Sequence, residues 1–280
     1  MKSNSILIFI INLKQDTLRK KHMQELCKKY NLQVEFIEAV DGRALNTNKV
    51  EKVYSSKKAI DKIGRELSRG EIGCALSHKK IYQRIVDENI SEAIVLEDDI
   101  NFNKELLEIL QKVDNFPNRW NIVLLGHHAC LARDLETCCS FWERKSLNKK
   151  YMIARPCEIG CGTYGYILRL EAAIILLQDL EVIDRPIDHF TGSDEKLSLY
   201  VLTPPVVDIH QALSGNHAMK DRKTLQVELS RINKQKPIIY SGKRKILIFF
   251  HLDGIWDSLN RKYISMKHFF KKRRKYEKCA

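Results

Sequence analysis

The chain has 280 residues, of which 44% are hydrophobic and 30% are charged. This composition is sufficient for one sizeable core and argues against disorder across the body of the chain. Lys and Arg outnumber Asp and Glu by 48 to 35, and the net charge of +13 favours polyanionic partners such as nucleic acid, acidic lipid headgroups or a phosphorylated substrate.

The apolar segments are short. The longest uninterrupted runs, residues 6–11 and 172–177, fall far below the ~20 residues of a transmembrane helix. The first run is also too short for the core of a signal peptide. We therefore expect a cytoplasmic protein whose eight cysteines are mostly thiols.

The first forty residues predict a strand, a helix and a second strand. Residues 6–11 are apolar on both faces, as in a central strand of an α/β sheet. Residues 12–30 have a helical spacing with a basic outer face, and residues 33–40 end at Asp41-Gly42, a turn signal. This order is typical of the start of a βαβ unit.

The rest of the chain continues the α/β pattern. Residues 46–68 predict a loop-rich insertion with a short helix, and residues 127–160, rich in Cys and His, are expected to be irregular. The remaining predicted elements are helices at 69–89, 104–113 and 171–180, and strands at 93–96, 120–126 and 200–207. We expect one α/β domain over residues 1–250, followed by a basic amphipathic tail over residues 251–280.

A buried strand that ends at Glu97, Asp98 and Asp99 is the most informative segment. Open α/β sheets bind ligands at the carboxyl ends of their strands, and a cation stabilises carboxylates that would otherwise repel one another. Oxygen ligands suit Mn²⁺ or Mg²⁺, which can neutralise a diphosphate leaving group. A solvated turn is the alternative, and phosphatases or nucleases have similar acidic sites.

Five short segments, one of which contains the acidic run, occur in order between residues 6 and 215. They are Ile11-Asn12-Leu13 with Arg19, Glu38-Ala39-Val40-Asp41-Gly42, the distinctive stretch 67–78, the run 94–99, and Gly162-Thr163-Tyr164-Gly165-Tyr166-Ile167 followed by Ala172-Ala173 and Pro186-Ile187-Asp188. The ordered set resembles family 25 glycosyltransferases, which include bacterial lipopolysaccharide and lipooligosaccharide galactosyltransferases.

The resemblance implies a GT-A fold, which is a Rossmann-like mixed sheet flanked by helices. It also implies a nucleotide-sugar donor, a divalent metal and inversion at the anomeric carbon. In this family the acidic run is a variant of the Asp-x-Asp motif, and alternate strand residues share a face. Glu97 and Asp99 are therefore the expected metal ligands, with Asp98 on the donor side. His210 is the expected third ligand, or else a histidine of a surface loop.

Inverting transfer is a single displacement that needs one general base. Asp188 is the candidate, with Glu158 or Glu195 as substitutes, and its alternative role is to cap a helix that begins near His189. His78 is the second candidate catalytic residue, and its alternative is a structural role.

The expected donor contacts surround these residues. Gly70 begins a helix whose first amides can meet a phosphate or uridine oxygen, although glycines there also allow close packing. The full set of expected donor-binding residues is Asn12, Leu13, Arg19, Asp41, Gly42, Gly70, Glu71, Cys74, Ser77, Asp98, Thr163 and Gly165.

Two further features have competing interpretations. Cys157 and Cys161, near other cysteines and histidines, suggest zinc, but no second pair of matching spacing completes a standard site, so thiols are expected. The tail has apolar residues at helical spacing among many lysines and arginines. It favours an anionic membrane surface, with a helix packed on the domain as the alternative.

We expect an inverting, metal-assisted hexosyltransferase at the inner face of the inner membrane. It moves galactose, or alternatively glucose, from a UDP-sugar to a glycolipid or oligosaccharide acceptor, the lipooligosaccharide or lipopolysaccharide core. The basic charge suggests a nucleic-acid-binding protein as an alternative, but no nucleic-acid motif is present. A metal-dependent phosphohydrolase is a third hypothesis, which leaves residues 70–78 without a role.

Overall fold

The computed structural model describes residues 6–129, 137, 139–157, 160–193 and 196–213. Within these residues an eight-stranded mixed sheet is flanked by helices, which confirms the predicted fold class. The tail from residue 251 lies outside the described residues, so the division into a domain and a tail stays a prediction. No helix in the described part of the chain is both long and apolar enough to cross a bilayer.

The described residues contain twelve strands and seven α-helices. The strands are β1 (Leu7–Asn12), β2 (Glu35–Glu38), β3 (Glu92–Glu97), β4 (Ile100–Phe102), β5 (Ile122–Leu124), β6 (His128–Ala129), β7 (Cys139–Ser146), β8 (Met152–Pro156), β9 (Gly160–Cys161), β10 (Gly165–Arg169), β11 (Leu199–Thr203) and β12 (Val207–Ile209). The α-helices are α1 (Thr17–Lys29), α2 (Thr47–Glu51), α3 (Ser56–Ile63), α4 (Arg69–Asp87), α5 (Glu105–Leu110), α6 (Leu170–Asp179) and α7 (Asp188–Thr191).

The main sheet has the strand order β2-β1-β3-β10-β5-β11-β8-β7. β1 is parallel to both β2 and β3, so the predicted βαβ unit is present. β10 runs antiparallel between β3 and β5. The carboxyl ends of β1 and β3 therefore lie side by side at one edge of the sheet, as in open α/β sheets that bind ligands there.

Both faces of the sheet are buried. On one face Phe9 packs in a cluster with Ile81 and Ile85 of α4. On the other face Ile10 packs in a cluster with Met23 of α1 and Leu106 of α5. Successive strand residues point to opposite faces of a sheet. Because both faces are buried, every residue of the run 6–11 can be apolar.

Two expectations about individual segments are wrong. Residues 139–146 and 152–156 are not irregular but form β7 and β8, an antiparallel pair at the edge of the sheet. β7 is mostly exposed and charged, as edge strands often are, so it lacks an apolar pattern. Residues 46–68 hold two short helices, each capped by a side chain, from Asn46 and Ser55. The strand β10 continues directly into α6, and no turn residue marks its end.

Candidate functional site

The acidic run at the end of β3 is held in place through its middle residue. The side-chain amide of Asn12, at the end of β1, donates to Oδ2 of Asp98 at 2.7 Å. Arg19 of α1 donates from Nη1 to Oδ1 of Asp98 at 2.9 Å. Both oxygens of this carboxylate are therefore occupied by protein groups, and Asp98 is buried.

Arg19 and the chain after β12 also meet the run. The guanidinium of Arg19 lies 3.4 Å from Oδ2 of Asp99 and donates to the Leu213 carbonyl at 3.1 Å. The backbone N–H of His210 donates to the Asp99 carbonyl at 2.8 Å. The His210 ring lies 4.7 Å from the His22 ring, measured between centroids. The backbone of His210 therefore contacts the acidic run, and the role of this histidine as a third metal ligand stays a prediction.

The two outer carboxyls of the run, Glu97 and Asp99, lie in surroundings that disfavour their ionised forms. Burial, with the charges of Asp188 and Asp98, raises the pKa of Glu97 to about 8, although Arg19 opposes the shift. Burial and the charge of Glu97 raise the pKa of Asp99 to about 7, again against Arg19. A divalent cation would relieve this repulsion, and carboxylate oxygens are ligands that Mn²⁺ and Mg²⁺ accept. The donor set therefore fits such a metal.

Asp188 begins α7 and is tied to a distant turn. Its Oδ1 accepts hydrogen bonds from the Thr163 backbone N–H, at 3.1 Å, and from the Thr163 hydroxyl. Its side chain does not cap its own helix, so the alternative role expected for it is wrong. Gly162, with a φ of 110°, makes the turn that aims Thr163 at Asp188. The charge of Asp188 contributes to the raised pKa of Glu97, and the role of Asp188 as general base stays a prediction.

His78 is fully buried on α4. Its Nδ1 is hydrogen-bonded to the Tyr166 hydroxyl at 2.8 Å, and Tyr166 is in turn bonded to the Tyr82 hydroxyl at 2.7 Å. Its Nε2 lies 3.7 Å from Oε1 of Glu97. Burial lowers the pKa of His78 to about 4, partly offset by the charge of Asp188, so its imidazole is neutral at physiological pH.

The two tyrosines were missed at the sequence level. Tyr82 follows His78 by four residues, a helical spacing that places both on one face of α4. That spacing was the available signal. Tyr166 belongs to β10, which was not predicted as a strand, so no signal pointed to its position opposite His78.

Two of the expected donor-binding residues, Ser77 and Glu71, have hydrogen-bond partners within the fold. The Ser77 hydroxyl donates to the Gly73 carbonyl at 2.7 Å and accepts from the Val40 N–H at 2.8 Å. Glu71 completes a capping box with Ser68 and pairs with both terminal nitrogens of Arg65.

The glycines of this region allow close packing. A Cβ on Gly42 would lie 1.8 Å from the Arg69 carbonyl oxygen, and one on Gly73 would lie 2.5 Å from the Val40 carbonyl oxygen. The loop before residue 43 and the first turns of α4 therefore meet backbone to backbone. This agrees with the packing alternative, and a donor contact at Gly42 stays a prediction.

The other expected donor residues are distributed along the same edge. Asp41 accepts from the Gln15 amide at 3.0 Å, and Leu13 accepts from the Asp16 N–H through its carbonyl at 2.9 Å. Gly70 lies in the first turn of α4, and Gly165 in β10 pairs with Leu96. Cys74 lies 4.0 Å from Glu97, measured from Sγ to Oε1.

The expected metal ligands are only partly gathered. In the described part of the chain, the three potential ligands whose ligand atoms lie within 4.8 Å of one another are Cys74, His78 and Glu97. Asp99 and His210 are not in that group, and their role as ligands with Glu97 stays a prediction. Glu158 and Glu195, the substitute bases, lie outside the described residues.

The sequence is similar to a known family and to several known proteins. Residues 5–191 match the model of the family described as glycosyltransferase family 25 (LPS biosynthesis protein). Procollagen galactosyltransferase 2 of Homo sapiens is 26% identical over 266 residues, covering 90% of this chain and 38% of that protein. Procollagen galactosyltransferase 1-A of Xenopus laevis is 30% identical over 259 residues, covering 90% of this chain and 39% of that protein.

The chain thus spans well under half the length of these relatives. Among solved structures, a glycosyltransferase involved in the glycosylation of the major capsid of PBCV-1 aligns with a TM-score of 0.41 and 10% identity, over 79% of this chain and 98% of that one. The family match covers well over half of the sequence and includes the acidic run, His78 and Asp188. The chain belongs to glycosyltransferase family 25.

Proposed function

We propose that this protein is an inverting, metal-assisted β-galactosyltransferase that uses a UDP-sugar donor. The supporting observation is the group of carboxyls at the edge of the sheet, where Glu97 and Asp99 have raised pKa values and the charge of Asp188 contributes to the shift of Glu97. Galactose is chosen over glucose because the matched relatives are named galactosyltransferases. A glucosyltransferase of the same pathway remains the alternative.

Glu97 and Asp99 would hold the cation, with His210 as the third ligand. When bound, a divalent cation supplies positive charge to the diphosphate leaving group. Asn12 and Arg19 keep Asp98 in a fixed position between the two ligands. This fixed position sets the direction of the flanking carboxylates, because all three residues share one short stretch of backbone.

Asp188 acts as the general base. It takes the proton from the acceptor hydroxyl while that oxygen bonds to the anomeric carbon, and the bond from this carbon to the diphosphate breaks with its electron pair on UDP. The Thr163 N–H and hydroxyl hold Oδ1 of Asp188. These two bonds restrict the rotation of the carboxylate, which a base needs to meet one acceptor hydroxyl.

The acceptor is proposed to be a lipooligosaccharide or lipopolysaccharide core. The support is the description of the matched family as an LPS biosynthesis protein. The basic tail supports a peripheral position on an anionic membrane surface at the cytoplasmic side, where a lipid-linked acceptor is accessible. Procollagen-type acceptors, which the names of the relatives suggest, belong in the same assay.

A nucleotide-sugar panel tests the proposal. Thermal unfolding is followed with UDP-galactose, UDP-glucose and a GDP-sugar, each with and without Mn²⁺. A donor at about 100 times its Kd stabilises the protein by about 2.7 kcal/mol. We expect UDP-galactose with Mn²⁺ to give the largest shift, and galactose transfer to core oligosaccharide to require the metal. Equal transfer in excess chelator, or stabilisation by none of the UDP-sugars, would contradict it.

A further inference from the structure

A second group of metal-ligating atoms lies beside the acidic run. Cys74 and His78 are four residues apart on α4 and so share one face of the helix. Glu97 of β3 faces them, with Oε1 4.0 Å from the Cys74 Sγ and 3.7 Å from the His78 Nε2. All three ligand atoms lie within 4.8 Å of one another.

The histidine supplies an independent observation. His78 is fully buried, and its Nε2 has no hydrogen-bond partner. A buried polar atom without a partner is costly, and this atom points at the gap between Cys74 and Glu97. Its other nitrogen, Nδ1, is hydrogen-bonded to the Tyr166 hydroxyl, which is bonded to Tyr82.

The hydrogen bond between Nδ1 of His78 and Tyr166 resembles the bond that metal-binding histidines make with the ring nitrogen that does not bind the metal. Such histidines donate their remaining ring N–H to an oxygen, which fixes the tautomer and the direction of the ring. In the tautomer whose Nδ1–H donates to Tyr166, the lone pair on Nε2 of His78 faces the gap. The ring is already oriented as a metal ligand requires, and Tyr82 and Tyr166 hold it there.

We propose that Cys74, His78 and Glu97 form a site for Zn²⁺. A sulfur, an imidazole nitrogen and a carboxylate oxygen are the ligand types that zinc accepts, whereas a thiolate is unsuited to Mg²⁺ or Mn²⁺. Tetrahedral zinc with bonds of about 2.0–2.3 Å places its ligand atoms roughly 3.3–3.8 Å apart. The observed separations from Glu97, 3.7 and 4.0 Å, need only small side-chain movements.

Binding converts the Cys74 thiol to a zinc-bound thiolate, and the proton is released to solvent. The three protein ligands leave one coordination position of a tetrahedral zinc ion open. Water can reach that position because the side chain of Glu97 is partly exposed. Zinc and the proposed donor-site cation share Glu97. Zinc should therefore inhibit transfer, and this consequence, unlike zinc binding itself, rests on the proposed function.

Two measurements on the full-length protein, reduced with a non-thiol reagent, test the site. In the first, Zn²⁺ affinity is measured by competition with a chromophoric chelator. Cys74→Ser should weaken it more than tenfold, and Tyr166→Phe, which keeps the ring but removes the hydroxyl, by about tenfold. Cys27→Ser changes a buried thiol of α1 and should leave the affinity unchanged.

The second measurement starts from the wild-type protein. Co²⁺ substituted into the wild-type protein should show a sulfur-to-cobalt charge-transfer band, which is lost in Cys74→Ser. If the affinity and the band survive Cys74→Ser but are lost in Cys157→Ser, zinc binds among the other cysteines and the proposal fails. Absence of the band in the wild-type protein would also overturn it.

Transfer assays distinguish the two proposals. The rate of sugar transfer by each variant is measured at increasing Zn²⁺ and fixed Mn²⁺. Each rate is divided by the rate of the same variant without zinc. We expect Cys74→Ser to need more than tenfold more zinc for half inhibition than Cys27→Ser does. Zinc that binds with the thiolate band but does not inhibit would support the zinc site and count against Glu97 as a ligand of the donor-site metal.

Discussion

The side-chain amide of Asn12 donates to Asp98 at 2.7 Å and so joins the ends of two neighbouring parallel strands, 86 residues apart in the chain. With Arg19 on the other oxygen, the middle carboxylate of the acidic run is fully engaged by the protein. Burial raises the pKa of all three carboxyls, but for Asp98 the hydrogen bonds from Asn12 and Arg19 oppose the shift, whereas the pKa of Glu97 reaches about 8 and that of Asp99 about 7. The run therefore divides into one structural carboxylate and two that are available to a cation.

Asp99→Asn tests whether Asp99 is one of the two carboxylates that bind the cation. Loss of a charged ligand should weaken the metal and the charge it supplies to the leaving group. We expect kcat/KM to fall by at least about a hundredfold, which corresponds to roughly 2.7 kcal/mol of transition-state stabilisation. The melting temperature should not fall, because a buried like charge is removed. Asp61→Asn, at an exposed position on α3, is the matched control, and similar losses in both variants would argue against a metal role for Asp99.

Asp188→Asn tests the general base. The usual scale for removal of a base is about a hundredfold or more in turnover, and we expect kcat to fall by that amount. The affinity for UDP, measured by calorimetry, should change little because the base contacts the acceptor. Normal turnover in this variant, or loss of UDP binding, would assign Asp188 a different role.

Thr163→Val separates orientation of the base from donor binding. Valine keeps the shape of the side chain and the backbone N–H bond, but removes the hydroxyl bond to Asp188. If Thr163 orients the base, kcat should fall by about tenfold, less than in Asp188→Asn. The KM for the donor should stay constant. A raised donor KM with unchanged kcat would instead support the donor contact implied by the family resemblance.

Much of the fold follows from local patterns in the sequence. The apolar run of β1 and the helical spacing of α4 are dictated by burial, so periodicity reveals them. The edge strand β7 is different, because its exposed and charged residues carry no apolar alternation. Its pairing with β8 depends on register and on partners far along the chain.

The site was less predictable for a similar reason. The acidic run could be located because a buried strand ends in three carboxylates. The sequence does not show which carboxylate is neutralised, since that depends on Asn12 and Arg19 approaching from β1 and α1. The position of Tyr166 opposite His78 also depends on an antiparallel strand that no local pattern indicates.

Ser77→Ala tests whether this serine packs the fold or contacts the donor. Its hydroxyl satisfies the Val40 N–H and bonds to the Gly73 carbonyl, and it is almost fully buried. Loss of the hydroxyl should lower the free energy of unfolding by about 1–3 kcal/mol, seen in denaturant melts. Ser146→Ala removes an exposed hydroxyl that bonds to the Asn148 carbonyl and should cost much less. Unchanged stability with a raised donor KM would identify a donor contact.

Truncation after Arg261 tests membrane binding by the tail. This removes a dense set of lysines and arginines, each worth about 1 kcal/mol at an anionic surface. The truncated protein should lose binding to anionic vesicles in flotation assays, and the full-length protein should be released as salt rises. Transfer to a lipid-free acceptor should persist. Unchanged vesicle binding would contradict an anchoring role for the tail, and unfolding on truncation would indicate that its apolar residues pack on the domain.

The last prediction concerns the pH dependence of stability without metal. Glu97 and Asp99 have ordinary pKa values of 4.5 and 3.8, raised in the fold to about 8 and about 7. Between these limits the folded protein binds more protons than the unfolded chain, so these groups make stability fall as pH rises. His78 acts in the opposite direction, because its pKa falls from 6.5 to about 4. The stabilisation that comes from the lowered pKa of His78 is therefore fully present above its ordinary pKa of 6.5.

From pH 6.5 to 8, therefore, the contribution of the two carboxyls to the melting temperature should decline with pH, and Glu97→Gln should flatten that decline. Asp61→Asn should leave it intact. Metal ligands must be deprotonated to bind, so the stabilisation by Mn²⁺ should grow across the same interval and be smaller in Glu97→Gln. Differential scanning fluorimetry at constant ionic strength measures both trends. Manganese stabilisation that is independent of pH and of Glu97 would place the cation elsewhere, because a site built on these carboxyls has to compete with their protons.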